Sequence, residues 1–388
     1  MRRAGRLMRT RILASVDDVS AGDWNRLAGD NCPFLRHEFL AALEHERCVG
    51  PGTGWTPRIT VVDDGEGRVV GAAACYEKTH SRGEFVFDFA WARAYGQAGL
   101  AYYPKLVVGV PFSPVSGDRL LCDPTAAGSE VRAALIEGLK ALARETHCSS
   151  VHVLFPTAAE HEALAGADFM KRSDCQFHWR NRGYRSFDDF LETFTAEKRK
   201  KAKRERRRIE EAGIRFRTLP GADLDRRSWS ELYPLYADTF ARHGHAPYLT
   251  HGFFLELART LPDRLMLKVA TFQGEAVGLA IFLVGNDTLY GRYWGTSGNY
   301  HSLHFETCYH QGIDYCIERG LARFEPGTQG EHKVARGFEP VTVYSNHWIA
   351  DRRFAAAIGQ YLEREGAEVE RYAEMVREHV PFKRGAAD

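Results

Sequence analysis

The chain has 388 residues, 44% of them hydrophobic, and its 52 Lys and Arg against 51 Asp and Glu leave a net charge of +1. That length supplies about two domains with an apolar core each, and the near-zero charge excludes a global field drawing the protein to nucleic acid or membrane, so such a partner must use a local patch. The longest apolar stretches, such as Val269 to Val284 with its interruptions at Gln273 and Glu275, fall short of the roughly 20 residues that span a bilayer.

From Met1 to Arg11 the chain is rich in Arg but lacks the apolar core of a secretory signal. It reads as a basic tail, and a cytoplasmic protein is expected. Eight cysteines show no C-x-x-C or metal-ligand spacing, so reduced thiols and no metal are expected. Apolar periodicity predicts a helix from Pro33 to Arg47. Strands are predicted at Arg58–Val62 and Arg68–Tyr76, around a turn at Asp63–Gly67 whose Asp and Gly residues suit positive backbone angles. A loop-rich middle follows, with turn formers at Tyr102–Pro104 and Gly109–Gly117. Next come a helix at Ser129–Thr146, a buried strand at Ser150–Phe155, and a helix, turn and strand between Leu164 and Arg180.

The second half repeats this order. Helices are predicted at Ser230–Arg242 and Thr250–Thr260, and strands at Arg264–Phe272, Ala276–Val284 and Thr288–Trp294. A helix at Leu303–Arg319 and strands at Ala322–Glu325 and Val341–Tyr344 complete it. The repetition predicts duplicated domains, with boundaries at 1–185, 186–213 and 214–388. The linker is a helix opened by Thr195 and closed by Gly213. Nine of the eleven residues from Lys198 to Arg208 are basic. So many like charges cannot share one face of a helix, so this one stands in water or against an anion.

Chemistry concentrates between Trp294 and Trp348. The run Phe324 to Phe338 joins tight-turning Gly327 and Gly330 to Glu325, Gln329, Glu331, His332, Lys333 and Arg336, a mixture of acid, base and anion-binding groups. Just upstream, His304 and Glu306 fall where a strand passes into a helix, near that helix's free amides. There Glu306 is either a base or a favourable first-turn charge, and Tyr293 and Trp294 are either core aromatics or a wall for an acyl chain.

These residues resemble the FemAB-like branch of the GNAT acetyltransferase superfamily, specifically bacterial predicted N-acyltransferases of the peptidoglycan biosynthesis or recognition type. The resemblance covers nearly the whole chain. Its most specific parts are Gly291-Arg-Tyr-Trp-Gly295, Leu303-His-Phe-Glu306, Phe324-Glu-Pro-Gly327, the run Gly330 to Phe338, and Ser345-Asn-His-Trp348, with Val110 to Gly117 in the first half.

The resemblance implies an α/β (α+β) protein of two tandem GNAT-like domains, each a mixed, mostly antiparallel sheet flanked by helices. It implies transfer of an acyl group, acetyl or aminoacyl, to a small-molecule or peptide amine. Glu331 or His332, then Glu306, are the candidates to take the amine's proton, with Glu325 beside them. Lys333 and Arg336 are candidates to hold the donor's phosphates, and Gln329, His304, Tyr293 and Trp294 to line the substrate site. Ordinary superfamily members bind coenzyme A on a Gly-rich loop before the central helix, whereas Gly298 to His304 has one glycine. Acyl-coenzyme A and aminoacyl-tRNA therefore both stand as donors, with tRNA meeting Lys198–Arg208. An aminoacyl-tRNA-dependent transferase acting on a cell-wall precursor or peptide is the alternative enzyme, and a non-catalytic peptide or cell-wall recognition protein the alternative from another class.

Overall fold

At the predicted Asp63–Gly67 turn, Asp64 Oδ1 accepts from the Glu66 and Arg68 amides at 2.9 and 3.0 Å, and Gly67 takes φ +82°. The turn joins strands Ile59–Asp63 and Val69–Ala73, as the local chemistry requires. The computed structural model describes residues 8–126, 128–242, 244–328 and 330–383. It divides into one unit of Met1–Asp174 with Thr342–Glu370 and another of Cys175–Val341 with Arg371–Asp388. The sequence-based boundaries are three consecutive stretches; these units each take two separate ones.

In the first unit, Arg9–Leu13 is not a tail but an edge strand, antiparallel to Ile59–Asp63, with Arg11 forked onto the Asp63 carboxylate at 2.5 and 3.0 Å. It heads a four-stranded sheet completed by Val69–Ala73 and Leu121–Cys122. A further run pairs Trp55–Pro57, Cys75–Lys78, Lys105–Val108, Ser150–Leu154 and Ser345–Ile349 in that order, with Lys105–Val108 and Ser150–Leu154 parallel. Helix Gly128–Glu145 lays Val131, Leu135, Ile136, Leu139 and Leu142 on these strands, at the spacing of one helix face. Two helices were not legible in the sequence pattern. Phe89–Gln97 lies in the loop-rich middle, and Arg352–Arg377 follows the last predicted strand. The latter buries Ile358 and Leu362 against Trp91 and Tyr95.

In the second unit, strands Arg215–Pro220, Leu265–Phe272, Glu275–Val284 and Thr288–Thr296 run antiparallel in chain order. Arg323–Glu325 then joins Thr288–Thr296 in parallel and pairs on its other edge with Trp179 and Arg180. Buried Trp179, Phe190, Phe194, Phe282, Phe324 and Phe338 form the core beneath the helices. Helix Arg226–Arg242 presses so closely on the sheet that a Cβ at Gly295 would stand 2.1 Å from the Leu235 carbonyl oxygen. Glycine is what permits this approach. None of the eight cysteines forms a disulfide. Among the described residues no helix is long and apolar enough to cross a membrane.

Candidate functional site

Strands Thr288–Thr296 and Arg323–Glu325 pair only at Thr288 with Arg323, Leu289 with Phe324 and Tyr290 with Glu325. Beyond that point the first strand continues to Thr296, while the second ends at Pro326, which has no amide hydrogen for a further rung. A bulge falls here: Ile281 pairs with Tyr293 and Phe282 with Gly291, leaving Arg292 as the extra residue. The strands therefore part, and a cavity of about 90 Å³ opens between them, lined by Arg292, Trp294, His304, Cys308, Tyr309 and Pro326 among others.

The helix below is broken in register. It is α-helical at Leu303–Phe305, makes a π-turn over Glu306–His310, and resumes as Gln311–Arg319. The wider turn changes which side chains share a face, and His304, Cys308 and Tyr309 all line the cavity. Against Tyr309 comes the 3-10 turn Glu331–Arg336, whose preceding Gly330 has φ +112° and would, with a Cβ, collide with the His332 ring at 2.1 Å. Glycine lets that ring fold back. His332 Nε2 lies 2.8 Å from the Tyr309 hydroxyl, and the His304 ring is 5.3 Å from Tyr309 and 5.9 Å from His332.

This corner is electropositive. Burial, aided by the charges of His332, Arg336 and Lys333, pushes His304 down to about 4. Burial with Lys333 and Arg336 also lowers His332. Lys333 is 2% exposed, donates to the Gly327 carbonyl at 2.6 Å, and is pushed down to about 7 by burial and then by Arg292. Arg336 is compensated: it donates to both Glu205 carboxylate oxygens at 2.9 Å and to the His332 carbonyl at 2.7 Å, and lies over the Phe305 ring. Glu325 is buried beside Arg292, whose guanidinium also donates to the Gly291 and Glu325 carbonyls.

The remaining sequence-selected residues lie elsewhere or serve as walls. Trp294 packs against His304, and Tyr293 turns to Tyr236 and Phe254. Glu331 is exposed and accepts from the Tyr372 hydroxyl at 2.9 Å. Glu306 faces a different cavity of about 410 Å³, shared with Arg206 and Arg215. Its carboxylate takes hydrogen bonds from His310, Gln311 and Arg206 at 2.8, 2.9 and 3.1 Å. Burial opposes ionisation, but His310 and Arg206 outweigh it and hold Glu306 at about 2. Gln329 lies outside the described residues.

Arg292 and Tyr309 were not selected from the sequence. Arg292 carried a signal, a cation inside an otherwise uncharged strand; Tyr309 read as one more core aromatic of a helix.

A third cavity, about 420 Å³, adjoins the turn Ser297–Ser302 and is lined by Arg242, Thr296, Gly298, Tyr300 and His304 among others. The basic helix spans Ala196–Glu211 and buries only Ala202, Glu205 and Ile209, three positions of one stripe. Lys200, Lys201, Lys203, Arg204, Arg207 and Arg208 are exposed, with Lys203 paired to Asp188 and Arg207 to Glu211.

A family model described as FemAB-like, peptidoglycan biosynthesis/recognition, matches residues 15–384. No curated protein matches the sequence. Among solved structures, FemX superposes with a TM-score of 0.55 at 11% identity, covering 88% of this chain and 98% of that one. The C-terminal domain of a lysylphosphatidylglycerol synthetase from Agrobacterium fabrum gives 0.53 at 9% identity, covering 87% and 95%. L-PGS from Bacillus licheniformis gives 0.51 at 11% identity, covering 86% and 98%. At such identities the likeness is one of fold, two tandem GNAT-like domains.

Proposed function

The chain belongs to the FemAB-like family of peptidoglycan biosynthesis/recognition proteins, and from that premise we propose that it is an N-acyltransferase. It moves an acetyl or aminoacyl group from an activated donor to an amine of a peptidoglycan-related acceptor. The observation that carries this reading is the parting of strands Thr288–Thr296 and Arg323–Glu325 over a cavity walled by His304, Tyr309 and Arg292. A flat acyl group fits between two such strands, where fixed dipoles act at short range.

The amine nitrogen attacks the acyl carbonyl carbon, and collapse of the tetrahedral adduct expels the donor's thiolate or ribose oxygen. The amine's proton passes to the Tyr309 oxygen while the Tyr309 proton passes to His332 Nε2, 2.8 Å away. His332 suits this role because its lowered pKa keeps it neutral at physiological pH. Lys333 places a proton donor of near-neutral pKa beside the cavity, suited to the departing group. Glu306 is ionised and fully engaged, so in this reading it fixes the π-turn and takes no proton. Glu331, exposed on Tyr372, likewise stands apart.

Two donors fit. Coenzyme A would place its phosphates in the cavity beside Ser297–Ser302, where Arg242 is the cation. Aminoacyl-tRNA is favoured by the six exposed cations of the basic helix. The test is incubation of the protein with acetyl-coenzyme A, or with a mixed aminoacyl-tRNA pool, and a peptidoglycan peptide bearing a free side-chain amine, with products read by mass spectrometry. Acylated peptide that disappears in the Tyr309→Phe and His332→Ala variants supports the reading. Peptide binding without product from either donor returns the protein to the recognition class.

A further inference from the structure

Helix Phe89–Gln97 in the first unit shows the reverse of an ordinary surface helix. Its inner side buries Trp91 and Tyr95 on Tyr102, Ile349, Ile358 and Leu362. Its outer side and flanks should then be charged, yet the exposed positions are Phe87, Phe89, Ala90, Ala94, Leu100 and Ala101, interspersed with glycines, Gln97, Ala98 and one cation, Arg93. Phe87, Phe89 and Leu100 are 54%, 49% and 40% exposed, three of the six large apolar side chains exposed among the described residues. The Phe87 and Phe89 rings stack at 6.2 Å.

The charges of this segment are sorted by sign. Both of its acids face inward: Glu84 and Asp88 are buried on Lys105, which donates to Glu84 at 2.8 Å and also to Asp88. Its cations, Arg82 and Arg93, face outward. The segment is also held in place, since Arg172 donates to the Phe87 carbonyl at 3.0 Å while forked onto Glu365 at 2.7 Å. A rigid outer face of aromatic, aliphatic and cationic side chains, without an outward acid, is complementary to a surface that is apolar just below a layer of negative charge.

We propose that Phe87–Ala101 is an interfacial anchor that docks this protein on an anionic phospholipid bilayer. Phe87, Phe89 and Leu100 enter the acyl-chain boundary while Arg82 and Arg93 meet lipid phosphates. The occupant follows from area as well as charge. The three half-exposed side chains offer on the order of 300 Å², well below the ~800 Å² per partner of a stable protein interface. Insertion of a few side chains into lipid has no such threshold.

The test is co-sedimentation of the full chain with vesicles of phosphatidylcholine alone and of phosphatidylcholine mixed with phosphatidylglycerol. The expected result is pelleting with the mixed vesicles that weakens with salt. A Phe87→Ser, Phe89→Ser double variant should lose about tenfold or more in partitioning, with a thermal midpoint little changed because both rings are already about half exposed. Arg82→Gln with Arg93→Gln should flatten the salt dependence. Wild-type protein that ignores phosphatidylglycerol, or a double-Ser variant that pellets like wild type, overturns the proposal. So does a light-scattering dimer abolished by the double-Ser change without vesicle binding, which would assign the face to a second copy.

Discussion

The Tyr309 hydroxyl and His332 Nε2 stand 2.8 Å apart, joining a wall of the strand-parting cavity to the turn Glu331–Arg336. Because His332 acts only when neutral, and its pKa lies below the ordinary 6.5, the acid limb of the activity should lie below that pH. Lys333 is one cause of the lowering, so Lys333→Met should move this acid limb upward. His332→Ala should cost about 10²–10⁴-fold in kcat and remove the limb altogether. A pH–rate profile of the three proteins decides it; an unmoved limb in Lys333→Met assigns the titration to another group.

Glu306 supplies a separate, structural prediction. Its folded pKa of about 2 lies below the ordinary 4.5, so its stabilisation is fully present above pH 4.5 and is lost as pH falls toward 2. The difference corresponds to about 3 kcal/mol. Glu306→Gln should therefore lower urea stability by about that amount at pH 7 and by much less at pH 3. Equal losses at both pH values would mean that packing, not charge, is what Glu306 provides.

The basic helix is tested by charge removal at exposed positions. Replacing Lys200, Lys201, Arg204 and Arg208 with Gln leaves its buried stripe of Ala202, Glu205 and Ile209 intact, so folding should be unaffected. If the helix meets RNA phosphates, tRNA affinity should fall and the slope of log K against log salt should flatten by roughly 0.7–0.9 for each phosphate no longer neutralised. Filter binding over a salt series measures this, and an unchanged slope leaves the helix solvated.

Gly295 reports on the sheet that carries the cavity. A Cβ there would sit 2.1 Å from the Leu235 carbonyl oxygen, backbone that cannot rotate away. Gly295→Ala should cost about 1–3 kcal/mol or more by forcing helix Arg226–Arg242 off the strand. Gly96→Ala, whose Cβ meets nothing within 4 Å, is the control and should hold or raise the thermal midpoint.

Local patterns determined much of this protein. The Asp63–Gly67 turn, the helix that follows Thr195 and the segment Leu303–Arg319 were all legible, because turn chemistry and the spacing of apolar and charged residues act within a few residues, although the Thr195 hydroxyl makes no cap hydrogen bond. The family motifs likewise marked where polar groups concentrate. Tertiary structure decided what those groups face. Arg9–Leu13 carries its strand character only in pairing with Ile59–Asp63, where Asp63 neutralises Arg11. Phe89–Gln97 turns Ala and Phe outward, against the rule by which amphipathic helices are read. Glu306 and His304 are two residues apart in sequence, yet the fold gives one to Arg206 and His310 and the other to the cavity. Tyr309 gained its partner from a loop 23 positions later. Spacing along a chain sets which side chains share a face of their own element, but the direction of that face, and the charge that meets it, come from strands and helices distant in sequence.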